Sequence, residues 1–355
     1  GVLYSVMKKI LAGVASVMAA AIVLTGCSAN TKNFGATYFD KNASDSGVAS
    51  VNERLTYDVY SFRDEDPRGN TDKFGKIAAL NEKLTFNVSE QSSYVTTIKT
   101  SGDGEYYVFT STLKVKGAYV YDTDKEYAVD DETVTTVEFK GIGSKFKPIS
   151  VKRTATNVVP LSVAPTSEND FVRLAYTVDY GKNAVISVSA DDEQSKDYFQ
   201  AQTRKDTVIK KYDKKEFVEN DILFTVFRNF DYTSGFSYSF NTIDAISQSL
   251  TSVTASTVSA STDKSPVTLL KMRDTRLYGR SVPAFNAVGI KFATTGRYAR
   301  TFAYCYYANS VNWNGETAAE EKTDDGNQTR RVPALIAQPS IHNTGYLVFA
   351  LKSAE

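Results

Sequence analysis

Polar and apolar residues alternate with a period of two along much of this chain, and that pattern admits few structures besides half-buried β-strands. In Glu53-Arg-Leu-Thr-Tyr-Asp-Val59 the apolar Leu55, Tyr57 and Val59 fall on one side of an extended backbone, and Arg54, Thr56 and Asp58 fall on the other. Successive side chains of a strand point to opposite faces, so such a segment needs one dry face and one wet one. The pattern returns in Glu82-Lys-Leu-Thr-Phe-Asn-Val88, where all seven positions match in kind. There is no third copy, which argues against a solenoid. Two strands of one sheet with the same inward face explain the echo.

Further strand-like segments follow in close succession. Tyr94 to Thr100 and Glu105 to Val115 flank Ser-Gly-Asp-Gly, a hairpin turn. Ala118 to Tyr121, Glu132 to Lys140 and Ile149 to Val159 continue the series, and Phe171 to Tyr180 and Ala184 to Ala190 flank Gly181-Lys-Asn183. Asp221 to Phe230 breaks the period. Leu223, Val226, Phe227 and Phe230 recur at helical spacing behind Asn220 or Asp221 as cap, which predicts a short helix. The alternation then resumes, with Phe236, Tyr238 and Phe240 on one side of a strand and Phe302, Tyr304 and Tyr306 on one side of another. Ile246 to Ser265, biased to Ser, Thr, Ala and Val, leans to strand over loop. Tyr346 to Leu351 is apolar on both faces and belongs inside a sheet. The fold class is therefore mainly β and antiparallel.

The N-terminal stretch reads differently. Met7-Lys8-Lys9 is basic, and Ile10 to Leu24 is a run of apolar and small residues too short to span a bilayer, which takes ~20 residues. Leu24-Thr25-Gly26-Cys27 follows and resembles a bacterial lipobox. By that resemblance, residues 1–26 are a lipoprotein signal peptide with a short upstream extension, and Cys27 carries a diacylglycerol on its sulfur and a further acyl chain, such as palmitate, on its amino group. Two or more chains give stable anchoring where one does not. Residues 27–50 are rich in Ser, Asn, Gly, Asp and Ala and read as a flexible tether, roughly 25 Å from end to end as a random coil. Residues 51–355 are left as a single β-rich domain. The expected location is outside the cytoplasm, lipid-anchored at a bacterial cell surface or on a periplasmic membrane face.

A second resemblance concerns that domain. An opening strand of the form E-x-L-T-Y-x-V, a short helix with Leu223-Phe224 and Arg228, then Gly235 and an alternating strand come in order. Ala284-Phe-Asn-Ala-Val-Gly-Ile-Lys-Phe292, a Tyr-rich strand, Arg331-Val-Pro and a last Gly345-Tyr-Leu strand complete it. The order resembles a family of bacterial envelope proteins of unknown function that looks related to the lipoprotein-carrier half-barrels. It implies a curved antiparallel sheet or half-barrel wrapped around one or two short helices, with an apolar concave face.

The remaining residues exclude more than they suggest. Without the signal's two lysines, 39 basic groups face 41 acidic ones, so no cationic surplus draws in nucleic acid. Of the two cysteines, Cys27 is assigned to lipid, and Cys305 reads as a small buried strand residue. The lone His342 supplies neither a zinc site nor a catalytic triad, and no G-x-S-x-G or Gly-rich phosphate loop is present. Ser261-x-x-Lys264 lacks its K-T-G partner. Asp64-Glu-Asp66 hints at a calcium loop, but Arg68 and Gly75 stand where that loop needs oxygen donors. No metal, cofactor or catalytic residue is assigned. The 22 Tyr and 20 Phe against one Trp are the positive signal, since Tyr joins an apolar ring to a polar tip. The expectation is a non-catalytic envelope protein binding an apolar or amphipathic ligand, or an envelope component, on one face carrying Phe236, Tyr238, Phe240, Phe302, Tyr304 and Tyr306. The alternatives are a surface adhesion or structural module without a cavity, and, further off, a hydrolase.

Overall fold

The computed structural model describes residues 52–63, 80–140, 147–181, 187–190, 192–202, 218–229, 236–244, 249–258, 275–277, 280–282, 287–295, 301–312 and 329–355. The signal, the tether, the acidic turn at 64–72 and Ser261-x-x-Lys264 lie outside these residues. What is described is mainly β, an open, curved and mostly antiparallel sheet.

Two meanders build it. The first holds β1 (Asn52–Phe62), β2 (Leu84–Val88), β3 (Ser93–Thr100), β4 (Tyr107–Tyr121), β5 (Lys125–Lys140), β6 (Lys147–Pro160), β7 (Phe171–Gly181) and β8 (Ser187–Ala190). The second holds β9 (Ser237–Asp244), β10 (Ser249–Thr257), β13 (Ala287–Thr294), β14 (Thr301–Asn312), β15 (Thr329–Pro339) and β16 (Tyr346–Ala354). The order across the sheet is β8-β7-β6-β5-β4-β3-β1-β16-β15-β14-β13-β10-β9. The meanders are thus joined where β1 pairs with β16, antiparallel from Leu55↔Ala354 to Phe62↔Tyr346. The short β11 (Thr275–Leu277) and β12 (Arg280–Val282) pair with each other, and β11 adds in parallel to the end of β16. Register shifts at Thr56/Tyr57, Glu138/Phe139 and Phe292/Ala293 interrupt the ladders, and such irregularities bend strands.

Between the meanders the chain leaves the sheet. Helix α1 (Glu193–Gln202) lies against β7, where Phe199 meets Tyr176 edge to face at 4.8 Å. A second helical stretch runs as a 3-10 turn (Asn220–Ile222), α2 (Leu223–Val226) and another 3-10 turn (Phe227–Asn229). Ile222, Leu223, Val226 and Phe227 are buried against the inner face of the sheet, which carries Leu55, Tyr57, Val59, Phe109, Val137, Val151, Phe240, Ile290 and Phe292. This stretch is the plug that the half-barrel wraps. Its cap is Glu219, whose carboxylate accepts from the N–H groups of Asp221 and Ile222, and not the predicted Asn220 or Asp221. A glutamate one residue earlier reaches the same free N–H groups.

The inward phases of β1 and β2 agree with their echo, since Leu55 and Tyr57 connect through β3 and β4 to the same face as Leu84 and Phe86. Tyr346 to Leu351 sits inside the sheet as expected, between β1 and β15. Strand β4 was expected to break at Lys116-Gly117, yet it runs unbroken to Tyr121. Both β2 and β3 lie along one edge of it, and the chain steps between them at Ser89 to Ser92, which hydrogen-bond the Lys116 backbone. A Cβ on Gly117 would stand 2.0 Å from the Asn87 carbonyl oxygen. The glycine therefore admits a backbone, and it does not end a strand. Beyond it Phe86 stacks on Tyr119 at 4.5 Å and Tyr127 on Phe171 at 4.5 Å, in a second small core. Gly117→Ala should destabilise the fold by about 1–3 kcal/mol, as overpacking does. Gly102→Ala, with open space around its Cβ, should be close to neutral. Chemical denaturation of both variants checks this.

Candidate functional site

The plug is held on two sides in different ways. On the β1 side, Arg228 donates to both oxygens of Glu53, at 2.5 and 2.8 Å, with both side chains shut off from water. Glu53 falls in the inward phase of β1, two residues before Leu55. Nearby the Tyr307 hydroxyl donates to the Phe224 carbonyl at 2.8 Å, and the Tyr57 hydroxyl donates to the Pro333 carbonyl at 3.0 Å.

On the other side the plug bridges the two open ends of the sheet. Val218 N–H donates to the Asn241 carbonyl of β9 at 2.9 Å. One residue on, Glu219 accepts from the Tyr180 hydroxyl of β7 at 2.8 Å. Asp221 takes the Arg153 guanidinium of β6, with Nε at 2.9 Å, and Arg153 lies 4.0 Å from Glu219. Three residues within one four-residue stretch, Val218, Glu219 and Asp221, thus tie β9 to β6 and β7 across the seam. The cluster extends to Tyr176, whose hydroxyl donates to Asn157 at 3.1 Å. The buried Thr135 Oγ1, opposite Arg153 on β5, and Asn220 Oδ1 have no hydrogen-bond partner among the described residues. Each such group costs about 1–3 kcal/mol.

Burial governs the electrostatics of this seam. It pushes the Glu219 carboxyl up to about 7, and the neighbouring Asp221 charge pushes the same way, against Arg153 and the hydrogen bonds from Tyr180 and Asp221 N–H. Burial works against the Arg153 charge, but the Asp221 and Glu219 carboxylates overcome it and hold that pKa above its usual value. Burial also pushes Asp131, behind Asn157, up to about 6, although the Val158 N–H donates to it at 2.9 Å. Tyr180 and Tyr94 are raised by burial as well, Tyr180 next by Glu219 and Tyr94 next by Asp221. A carboxyl near 7 beside an arginine and a phenol has the make-up of an acid–base site. Here, however, one oxygen of Glu219 is taken by Tyr180 and the other by two backbone N–H groups, and the side chain is 1 % exposed. The arrangement serves to staple the seam.

The residues singled out from the sequence separate into two groups. Phe236, Tyr238 and Phe240 lie on the inner face, where Tyr238 and Phe240 meet the Phe227 ring of the plug at 5.8 and 5.1 Å. Phe302, Tyr304 and Tyr306 were expected to share that face; Tyr304 and Tyr306 do not, and Phe302 stands unpaired at a register shift. The pairings Tyr238↔Ala255, Ala255↔Phe292 and Phe292↔Ala303 put Ala303, Cys305 and Tyr307 on the inner face, and so Tyr304 and Tyr306 on the outer one. Alternation along each strand was right, but nothing in the sequence sets the relative phase of two strands in one sheet. The outer pair is nonetheless buried, with Tyr304 near Tyr346 and Tyr306 over Gly289, whose absent Cβ leaves room for the ring. Cys305 is buried, and burial raises its thiol pKa well above the usual value. His342 Nε2 meets the Pro160 carbonyl at 3.0 Å, a structural contact. Among the described residues no group of three His, Cys, Asp or Glu is placed to hold a metal ion. Cys27 lies outside the described residues.

No family model matches the chain, and no curated protein does. Among solved structures it is similar to a beta-barrel-like protein of domain of unknown function DUF1849 from Brucella abortus, at 9% sequence identity and a TM-score of 0.37, over 87% of this chain and 98% of that one. A likeness at that score says nothing about activity.

The seam makes stability depend on pH. Glu219 and Asp131 bind a proton more tightly in the folded chain, at about 7 and about 6, than at their ordinary values of 4.5 and 3.8. Their contribution is complete below the ordinary values and is lost as pH rises through 6 and 7. The melting temperature should therefore fall between pH 5 and pH 8, with a loss on the order of 3 kcal/mol from Glu219. Glu219→Gln should flatten most of that slope in a thermal melt series, and an unchanged slope would contradict the assignment.

Proposed function

We propose that this chain is a lipid-anchored, non-catalytic protein of a bacterial envelope that takes an apolar or amphipathic ligand on the inner face of its sheet, beneath the plug. The observation that supports the reading is the unequal hold on that plug. One side rests on rings and on a buried ion pair, while the seam side rests on a titratable polar cluster with unpartnered buried atoms. A plug that shifts at the seam uncovers Tyr238 and Phe240, an apolar surface with a phenol at its edge. Among the described residues the sheet's two end strands, β8 and β9, do not pair with each other, so such a shift breaks no ladder between them.

The chain from Ser28 onward, which holds every described residue, is expected to bind N-phenyl-1-naphthylamine saturably. Tyr238→Ala should weaken that binding several-fold while the far-ultraviolet circular dichroism stays that of the parent. Unsaturable binding, or equal binding by the folded variant, would transfer the reading to an adhesion or structural module. The anchor has its own test. Expressed with its leader in a bacterium, the chain should yield an N-terminal peptide bearing acyl mass on Cys27, lost in Cys27→Ala. Recovery of wild-type protein that still carries Met7 to Gly26 sinks the lipobox assignment.

A further inference from the structure

We propose that one corner of the fold, built from residues 81–83, 161–170 and 340–345, docks a protein partner that offers an apolar pocket rimmed by basic groups. The large apolar side chains that stand exposed among the described residues are Leu161 at 54%, Val163 at 61% and Ile341 at 46%. All three belong to this corner. Single exposed apolar residues are ordinary on a protein surface, but a cluster of them marks a contact site.

The cluster is held together across long stretches of chain. Asn81 Nδ2 donates to the Val163 carbonyl at 2.7 Å and to the His342 carbonyl at 3.1 Å, and Asn81 N–H donates to the Asn343 carbonyl at 3.0 Å. His342 Nε2 meets the Pro160 carbonyl, next to Leu161. The 161–170 loop is fixed from within, since Leu161 N–H donates to the Asp170 carbonyl at 2.8 Å and the Asp170 carboxylate accepts from the N–H groups of Thr166 and Ser167. The turn that presents Ile341 is strained, with His342 and Asn343 at φ 56 and 57, both left-handed and neither glycine. After it comes Gly345 at φ 130, where a Cβ would stand 2.4 Å from the Phe62 carbonyl oxygen. Strain and hydrogen bonds are thus spent on fixing side chains that touch solvent. A surface ordered in advance loses less entropy when it binds.

Charge selects the partner. Glu82, Asp122, Asp124, Glu168 and Asp170 belong to these segments and the adjoining turn, against Lys83, Lys125 and Arg63, whose Nη2 donates to the Asn81 carbonyl at 3.0 Å; the 122–125 turn is joined to the loop where Lys125 Nζ meets the Thr166 carbonyl at 3.4 Å. An anionic bilayer is repelled by this excess of carboxylates, and residues 81–83, 161–170 and 340–345 include none of the Trp or Tyr that settle at lipid interfaces. A second copy would set acid against acid. A partner with basic groups around an apolar pocket meets both features. The corner lies at the Phe62 end of β1, roughly 35 Å from Asn52, where the tether joins.

The test is peptide selection by phage display on the chain from Ser28 onward, with Val163→Asp as the counter-target. Enriched peptides should carry an apolar centre with flanking Lys or Arg, lose at least tenfold in affinity for Val163→Asp and for Leu161→Ser, and weaken with added salt. Both variants change exposed side chains and should melt with the parent. If Val163→Asp does not, Leu161→Ser carries the comparison. Failure to enrich, enrichment of peptides with acidic flanks, or affinity for both variants equal to that for the parent overturns the proposal. So does co-sedimentation of the parent, and not the variants, with phosphatidylethanolamine–phosphatidylglycerol vesicles, which reassigns the corner to lipid. A concentration-dependent dimer abolished by Val163→Asp reassigns it to a second copy.

Discussion

The pairing of Arg228 with Glu53 fixes where the helical plug sits, and much of the interior is arranged around it. Removing two charges from water costs several kcal/mol for each ion, and the two-point contact between guanidinium and carboxylate returns that cost only when the geometry is good. The pair is therefore weak as a source of stability and strong as a specifier. Glu53 belongs to β1, the strand that joins the two meanders, and Arg228 closes the plug. A plug displaced from this position would leave a charge buried alone, so the pair sets one orientation for a helical stretch whose apolar contacts could be satisfied in several. Tyr307 and Tyr57 then fasten the surrounding carbonyls from the neighbouring strands.

Away from that pair the interior becomes more polar. At the seam the same helical stretch meets Arg153, Tyr180 and Tyr176, and the groups there shift one another's protonation. An open sheet has two edges to manage. Here β8 is only four residues long, and the N–H of Ala175 beyond its end is taken by Ser195 at the start of α1. At the opposite edge the N–H of Val218 fills a position on β9. Each edge thus shares a hydrogen bond with the chain's own central segment, whose helical plug also lines the face opposite the inner aromatic rings.

Much of this could be read from the sequence where period two held. The inward phases of β1 and β2, the hairpin at Ser101 to Gly104 and the double-sided burial of Tyr346 to Leu351 all follow from which residues alternate. Two kinds of information were missing. Phase within a strand is local, but phase between strands depends on register, so Tyr304 and Tyr306 were placed on the face of Tyr238 and Phe240 when they lie on the opposite one. The seam went unseen because its charges are far apart in sequence. A signal existed even so, because Arg153 stands in phase with Val151 and Ala155, and Glu53 with Leu55 and Tyr57. A charged residue on the dry phase of a strand calls for an opposite charge inside. Gly117 was misread as a strand end because a glycine that breaks a strand and one that lets another backbone approach look alike in sequence.

The junction of β1 with β16 has a consequence for the order in which the molecule can assemble. Arg54 and Glu355 exchange both of their backbone hydrogen bonds, so the first described strand is paired along its length only once the chain has been made as far as Glu355. Within each meander, neighbours in space are mostly neighbours in sequence, and such hairpins close quickly. The central joint has the longest loop to close and is the slowest to form. Until β16 is made, β1 has one open edge, and until β15 is in place Tyr57 lacks the Pro333 carbonyl that receives its hydroxyl. Two half-sheets with a shared unfinished border are therefore the natural intermediate of this topology, and that border is where a nascent chain is most open to pairing with the wrong strand.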